Sequence, residues 1–139
     1  MFHIIELISS VDANLLRLLS PLIKAEGLSV SEMIILWKVN KKGSSRIKDL
    51  AGEVGLPPST MTGIFDHLAS LGYVERLHDV EDRRSVLIQA TPHLSEMISR
   101  VSKTAIIELE KIFSSLPEGF LKRFEEDLEM MQNHLTKRK

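Results

Sequence analysis

A chain of 139 residues carries 18 Lys+Arg against 19 Asp+Glu, a formal net charge of -1, with 43% hydrophobic and 27% charged residues. That length and balance fit one compact domain, or a small domain plus an interaction element, and exclude a disordered or polyelectrolyte chain. With no cysteine, disulfides, thiolate zinc sites, iron-sulfur clusters and thiol-based catalysis or sensing are excluded as well.

From Ile4 to about Ile23, apolar residues at Ile4, Ile8, Val11, Leu15, Leu18 and Leu22, with a second stripe at Ile5, Leu16, Leu19 and Ile23, predict a helix whose apolar face is too wide for one contact. Glu6, Asp12, Arg17 and Lys24 interrupt it, so neither a membrane span nor a signal peptide is read, and a cytoplasmic protein of a bacterium or archaeon is expected. Ala25-Glu26-Gly27 supplies the stop. A second helix starts at a Ser29 or Ser31 cap and runs through Met33, Ile34, Leu36, Trp37 and Val39 to a Lys41-Lys42-Gly43 exit. Trp37 reads as core, and with Met33 it is the candidate lining of a small apolar ligand cavity.

From Ile47 to Asp66 the spacing is that of a helix-turn-helix. Leu50, Val54, Leu56, Met61 and Ile64 seal one helix on the other, Ala51 permits a tight crossing, and Gly55 supplies the turn. Pro57-Pro58 opens the second helix, which buries Met61, Ile64, Phe65, Leu68 and Leu71 and ends at Gly72. Its outward face is Ser59, Thr60, Thr62, Gly63, Asp66 and His67. After Gly72 the period drops to two: Tyr73–Leu77 and Ser85–Gln89 read as strands around a charged stretch, His78 to Arg84. A hairpin directly after a helix-turn-helix is a wing.

Beyond Thr91-Pro92, a long helix runs through Leu94, Met97, Ile98, Val101, Ala105, Leu109, Ile112, Phe113 and Leu116. Pro117 opens another, carrying Phe120, Leu121, Phe124, Leu128, Met131 and Leu135, and Lys137-Arg138-Lys139 suits a helix end. The predicted fold is mainly α with a small β-hairpin wing (α+β). Residues 28–91 form the winged lobe, and residues 1–27 with 92–139 form a helical dimerisation region. The flanking stripes either fold back on their own chain or cover each other across a two-fold; their size favours the second.

A small polar face on the second helix suits the major groove, so Ser59, Thr60, Thr62, Gly63 and His67 are the candidate groove residues. Hydroxyls in a first turn also serve as helix caps. At the wing tip, Arg83 or Arg84 can enter a minor groove, and Asp82 can fix a neighbouring guanidinium by a bidentate bond. The run Lys38, Lys41, Lys42, Arg46 and Lys48 contains no acid; Lys42, Arg46 and Lys48 are its candidate phosphate contacts. The histidines His3, His67, His78, His93 and His134 lack chelating spacing, so no metal and no cofactor is expected. No nucleophile elbow, phosphate loop or dinucleotide fingerprint appears, and the chain does not read as an enzyme.

The string Leu68-Ala-Ser-Leu-Gly72-Tyr-Val-Glu-Arg76, followed by Asp82-Arg83-Arg84-Ser85 and a strand ending near Thr91, resembles the MarR family of transcriptional regulators over nearly the whole chain. Ser59-Thr60-Met61-Thr62 looks like the start of that family's recognition helix and Asp66-His67-Leu68 its middle. The resemblance implies a homodimeric winged helix-turn-helix repressor on a pseudo-palindromic operator near its own promoter, with intertwined terminal helices. It also implies release of double-stranded DNA by a small organic effector, often aromatic or phenolic. Gly63 and His67 depart from the family, which often places basic residues there; Leu94 replaces a glycine and Ala90 a leucine. Absence of cysteine removes the peroxide-sensing branch. The alternative is a winged-helix protein-protein interaction module that has lost sequence-specific DNA binding, to which Gly63 and the local acidity point.

Overall fold

Why the first turn of α2 (Val30–Lys42) holds is plain from its cap: the Ser29 side chain accepts from the Glu32 N–H at 3.2 Å, and the Glu32 carboxylate accepts from the Ser29 N–H at 2.8 Å. Two donors that a helix start leaves orphaned are thereby satisfied reciprocally. The computed structural model describes residues 1–138. Before α2 lies α1 (Phe2–Ala25), which accommodates Pro21. After α2 the chain turns at Gly43 into a short strand, β1 (Ser44–Arg46), then α3 (Ile47–Val54) and α4 (Pro58–Ser70).

Gly55 between those two helices has φ +76°, a left-handed conformation that side chains strain to adopt, and its N–H closes α3 on the Ala51 carbonyl at 2.9 Å. The wing follows as β2 (Val74–His78) and β3 (Val86–Ala90), then α5 (Pro92–Phe113) and α6 (Phe120–Thr136). The sheet is antiparallel in the order β1-β3-β2, with Ser45 opposite Ile88 and Arg76 opposite Ile88 on its other side. The expected hairpin is thus present and gains a strand: β1 was read only as part of a basic run.

Two compact units divide the chain, one from Met1 to Ala105 and one from Ile106 onward. In the first, Met33, Ile35, Leu36, Val39, Leu50, Met61, Phe65, Leu68, Ile88, Leu94 and Met97 are sealed from solvent and form one core with the end of α1. Fully burying each of these side chains is worth about 1.5–3 kcal/mol, which is how the helix-turn-helix, the wing and the start of α5 hold together. Thr91 ties the last two: its hydroxyl donates to the Gly72 carbonyl at 2.7 Å and accepts from the Leu94 N–H at 3.3 Å.

In the second unit, α6 has no buried residue, and Leu121, Phe124, Leu128, Met131 and Leu135 are all well exposed. Along α1, only Ile23 is buried, while Ile4, Ile5, Ile8 and Val11 stand in solvent. Two expectations are corrected here. Pro117 does not open the last helix: Pro117, Glu118 and Gly119 make a turn, with Gly119 at φ +74° as the cap, and α6 begins at Phe120. Trp37 is not core but 41% exposed, whereas Met33 beside it is 0% exposed and packed. Lys139, the last of the expected basic end, lies outside the described residues.

Candidate nucleic-acid interface

The elbow between α3 and α4 brings four candidates together. A cleft of about 230 Å³ is lined by Arg46 and Lys48 at the start of α3, Pro58 and Thr62 of α4, and Arg84 with Ser85 and Val86 of the wing. Ser59, Thr60, Thr62, Gly63 and His67 are all exposed on α4, as Met61, Phe65 and Leu68 face the core. Within that face the side chains are not equally available. The Thr62 hydroxyl donates back to the Pro58 carbonyl at 3.0 Å and is already committed to its own helix. Arg76, on β2, reaches Asp66 at 2.9 Å and donates to the Thr62 carbonyl at 2.8 Å, tying the wing to the helix.

His67 is engaged from the other element it meets, its Nδ1 lying 2.8 Å from the Glu32 carboxylate of α2. Burial works against the charge on Glu32, but the Ser29 N–H and the His67 ring outweigh it and hold the carboxyl below its ordinary range. Ser59 and Thr60 have no side-chain hydrogen bond among the described residues.

The wing is built on two aspartates with separate tasks. Asp79, 6% exposed, takes the Arg46 guanidinium on Oδ2, with Nη2 at 2.7 Å and Nε at 2.8 Å, and accepts the Glu81 N–H on Oδ1 at 3.0 Å. The Glu81 N–H and the Arg46 guanidinium together lower the Asp79 carboxyl against the cost of burial. Asp82 was expected to hold a guanidinium. It instead accepts the Ser85 hydroxyl at 2.8 Å and the Arg84 N–H at 3.0 Å, two bonds that lower its own carboxyl and close the turn. Arg83 stands with His78, Asp79 and Val80 around a depression on the tip, and neither Arg83 nor Arg84 has a side-chain partner among the described residues.

Lys42 is not brought to the elbow. It pairs with Glu53 of α3, which Lys38 also approaches at 4.0 Å. Arg46, spent on Asp79, and Lys42, spent on Glu53, leave Lys48 as the candidate phosphate contact without an internal partner. The sequence reading missed Arg76, Asp79 and Glu32 as the residues that arrange this surface; each is a charge whose partner lies on another element, and no local spacing announces it. Among the described residues no three His, Cys, Asp or Glu side chains converge as a metal would need, and no helix is long and apolar enough to cross a membrane.

A helix-turn-helix whose second helix is exposed on one face and flanked by a three-stranded wing defines a winged helix-turn-helix protein. Residues 28–86 match the model of the MarR family, the family that the strings around Gly72 and Asp82 resemble. Among curated relatives, the uncharacterized HTH-type transcriptional regulator YfiV of Bacillus subtilis is 31% identical over 60% of this chain, which spans only about half (52%) of that protein. YsmB of the same organism, also named an HTH-type transcriptional regulator, is 29% identical over 89% of this chain and 90% of its own length. The HTH-type transcriptional repressor MdtR is 26% identical over 48% of this chain and 43% of its own. These relatives are named as regulators, not as enzymes.

Solved structures share the fold. A MarR family protein from Bacillus stearothermophilus superposes with a TM-score of 0.85 at 19% identity, covering 96% of this chain and 94% of its own. NadR in complex with 4-hydroxyphenylacetate gives 0.71 at 20% identity, covering 91% and 89%.

Proposed function

We propose that the chain is a DNA-binding transcriptional regulator acting as a homodimer, with α4 in the major groove of double-stranded DNA and the wing tip on the adjacent minor groove. The observation that carries this reading is the shared surface of α4 and the wing, where exposed Ser59, Thr60 and Thr62 stand with the unpartnered cations Lys48, Arg83 and Arg84. Residues 28–91 are the reading lobe in this proposal; residues 1–27 and 92–139 pair with a second copy. Support for pairing comes from the apolar side chains that α1 and α6 each leave in solvent, a liability in a monomer. A two-fold dimer in turn fits a pseudo-palindromic operator.

Repression is the sense favoured by the likeness to the repressor MdtR, and a small aromatic or phenolic effector by the 4-hydroxyphenylacetate bound to NadR. Trp37, exposed beside the packed Met33, remains the candidate for effector contact. The test is a salt-titrated binding assay against the chain's own upstream DNA and a scrambled duplex. Selective binding with a salt-dependent affinity is expected. Equal or absent binding to both by a folded dimer would overturn the reading and favour the protein-interaction module.

A further inference from the structure

Gly63 lies in the interior of α4, the sixth residue of Pro58–Ser70, with full turns on both sides. Its φ is not in the left-handed region, and a Cβ built on it meets nothing within 4 Å. Neither reason that a fold has for glycine applies: no turn needs it, and no neighbouring backbone presses on it. Inside a helix glycine is the worst residue after proline, because it loses the most backbone freedom on folding. The other helical glycine in an ordinary conformation, Gly52, also has open space but sits near the end of α3, where a helix frays and the penalty shrinks. Gly63 therefore costs its own helix stability with no return inside the described structure.

Gly63 is flanked on the exposed face by Ser59 and Thr60 a turn before it and by Asp66 and His67 a turn after it. The first two are short, and the last two are held by Arg76 and Glu32 on neighbouring elements. A body approaching α4 at Gly63 finds open space where a side chain would stand, with the Arg76 guanidinium docked alongside on the Thr62 carbonyl.

We infer that Gly63 is the point of closest approach between α4 and the floor of the major groove, a specificity-determining position because it lets the short hydroxyls of Ser59 and Thr60 reach base edges. This rests on the DNA-binding reading and deepens it. Where a longer side chain at this position would read a base by itself, glycine lets the helix lie deeper, so that recognition falls to short groups: hydroxyls bonding base edges and threonine methyls against thymine methyls.

The experiment compares the full chain with Gly63→Ala and Gly63→Leu, using thermal melts and titrations of the chain's own upstream DNA and a scrambled duplex at several salt concentrations. Both variants are expected to melt higher than the parent, Gly63→Ala by about 2 to 5 °C. Both are expected to bind the upstream DNA more weakly, Gly63→Leu by about tenfold or more, with an unchanged salt slope because no charge is altered. Stability and binding thus move in opposite directions, which a structural role for Gly63 does not produce. Affinity equal to the parent's in either variant overturns the inference, as does a lowered melting temperature in Gly63→Ala. A parent chain that does not discriminate its upstream DNA overturns the DNA reading and this inference together, and that failure shows before any substitution is made.

Discussion

Arg84→Ala is the substitution that separates the interface from the fold most cleanly. The Arg84 backbone N–H is held by Asp82, but its side chain has no partner among the described residues and lines the cleft shared with Lys48 and Thr62. Truncation removes no internal bond, so the melting temperature should stay within about 1 °C of the parent's, as for a surface substitution away from any special feature. A groove arginine is worth about 1–3 kcal/mol. The proposed homodimer would carry two such contacts, and treating them as independent doubles the lower bound to about 2 kcal/mol, or roughly 30-fold in affinity for the operator. Loss of two cations should also flatten the salt dependence, by at most about 1.8 in the log-log slope. Fluorescence anisotropy at fixed salt, with Arg83→Ala alongside, measures all of this. An unchanged affinity with an unchanged melt would remove Arg84 from the interface.

Asp82→Ala gives a sign test: deleting an acid beside DNA should tighten binding if electrostatics alone matters, whereas loss of the Ser85 and Arg84 bonds should loosen the tip and weaken it. Weaker binding, by a few-fold in the same titration, is expected. Glu26 is held low chiefly by the bidentate Arg100 guanidinium, at 3.0 and 2.9 Å, so its charged form stabilises the fold above the ordinary glutamate range, and that contribution fades as pH falls through the lowered value. Glu26→Gln should accordingly melt lower than the parent at neutral pH and converge with it in acid; parallel melting curves at every pH would show that the pair contributes nothing to stability. Leu128→Glu, on the exposed apolar face of α6, should shift the protein toward monomer in sedimentation at micromolar concentration and abolish operator binding, and a persisting dimer would place that face outside the interface.

Much of the fold was legible because its signals are local. Gly55 between two apolar runs, a serine cap at the start of α2, and the change of period after Gly72 each act within a few residues of themselves. What stayed hidden depends on residues far apart in the chain. Ser44–Arg46 is too short for its alternation to show, and it becomes a strand only because Ser45 finds Ile88 across the sheet. That pairing delivers Arg46 to Asp79, so the readings of Arg46 as a phosphate contact and of Asp82 as the anchor of a neighbouring guanidinium could not be sorted from spacing. Trp37 went astray for a different reason: Met33 through Trp37 is apolar almost without a break, and an unbroken run does not say which face is buried.

The same internal pairings decide how this surface can recognise DNA at all. Of the basic residues from Lys38 to Arg84, Lys38 and Lys42 approach Glu53, Arg46 is held by Asp79 and Arg76 by Asp66. Lys41, Lys48, Arg83 and Arg84 have no internal partner among the described residues. Four cations releasing about 0.9 counterion each set a ceiling of about 3.6 on the salt slope of one lobe, and Lys41 reaches that count only if its end of α2 meets the backbone. In the proposed dimer that ceiling doubles to about 7.2, so phosphate contacts can supply affinity, but being blind to sequence they supply no choice of site. On the DNA-binding reading, selectivity then falls to the fit of α4 in the groove, where short side chains around Gly63 would make shape, rather than charge, the quantity that selects a site.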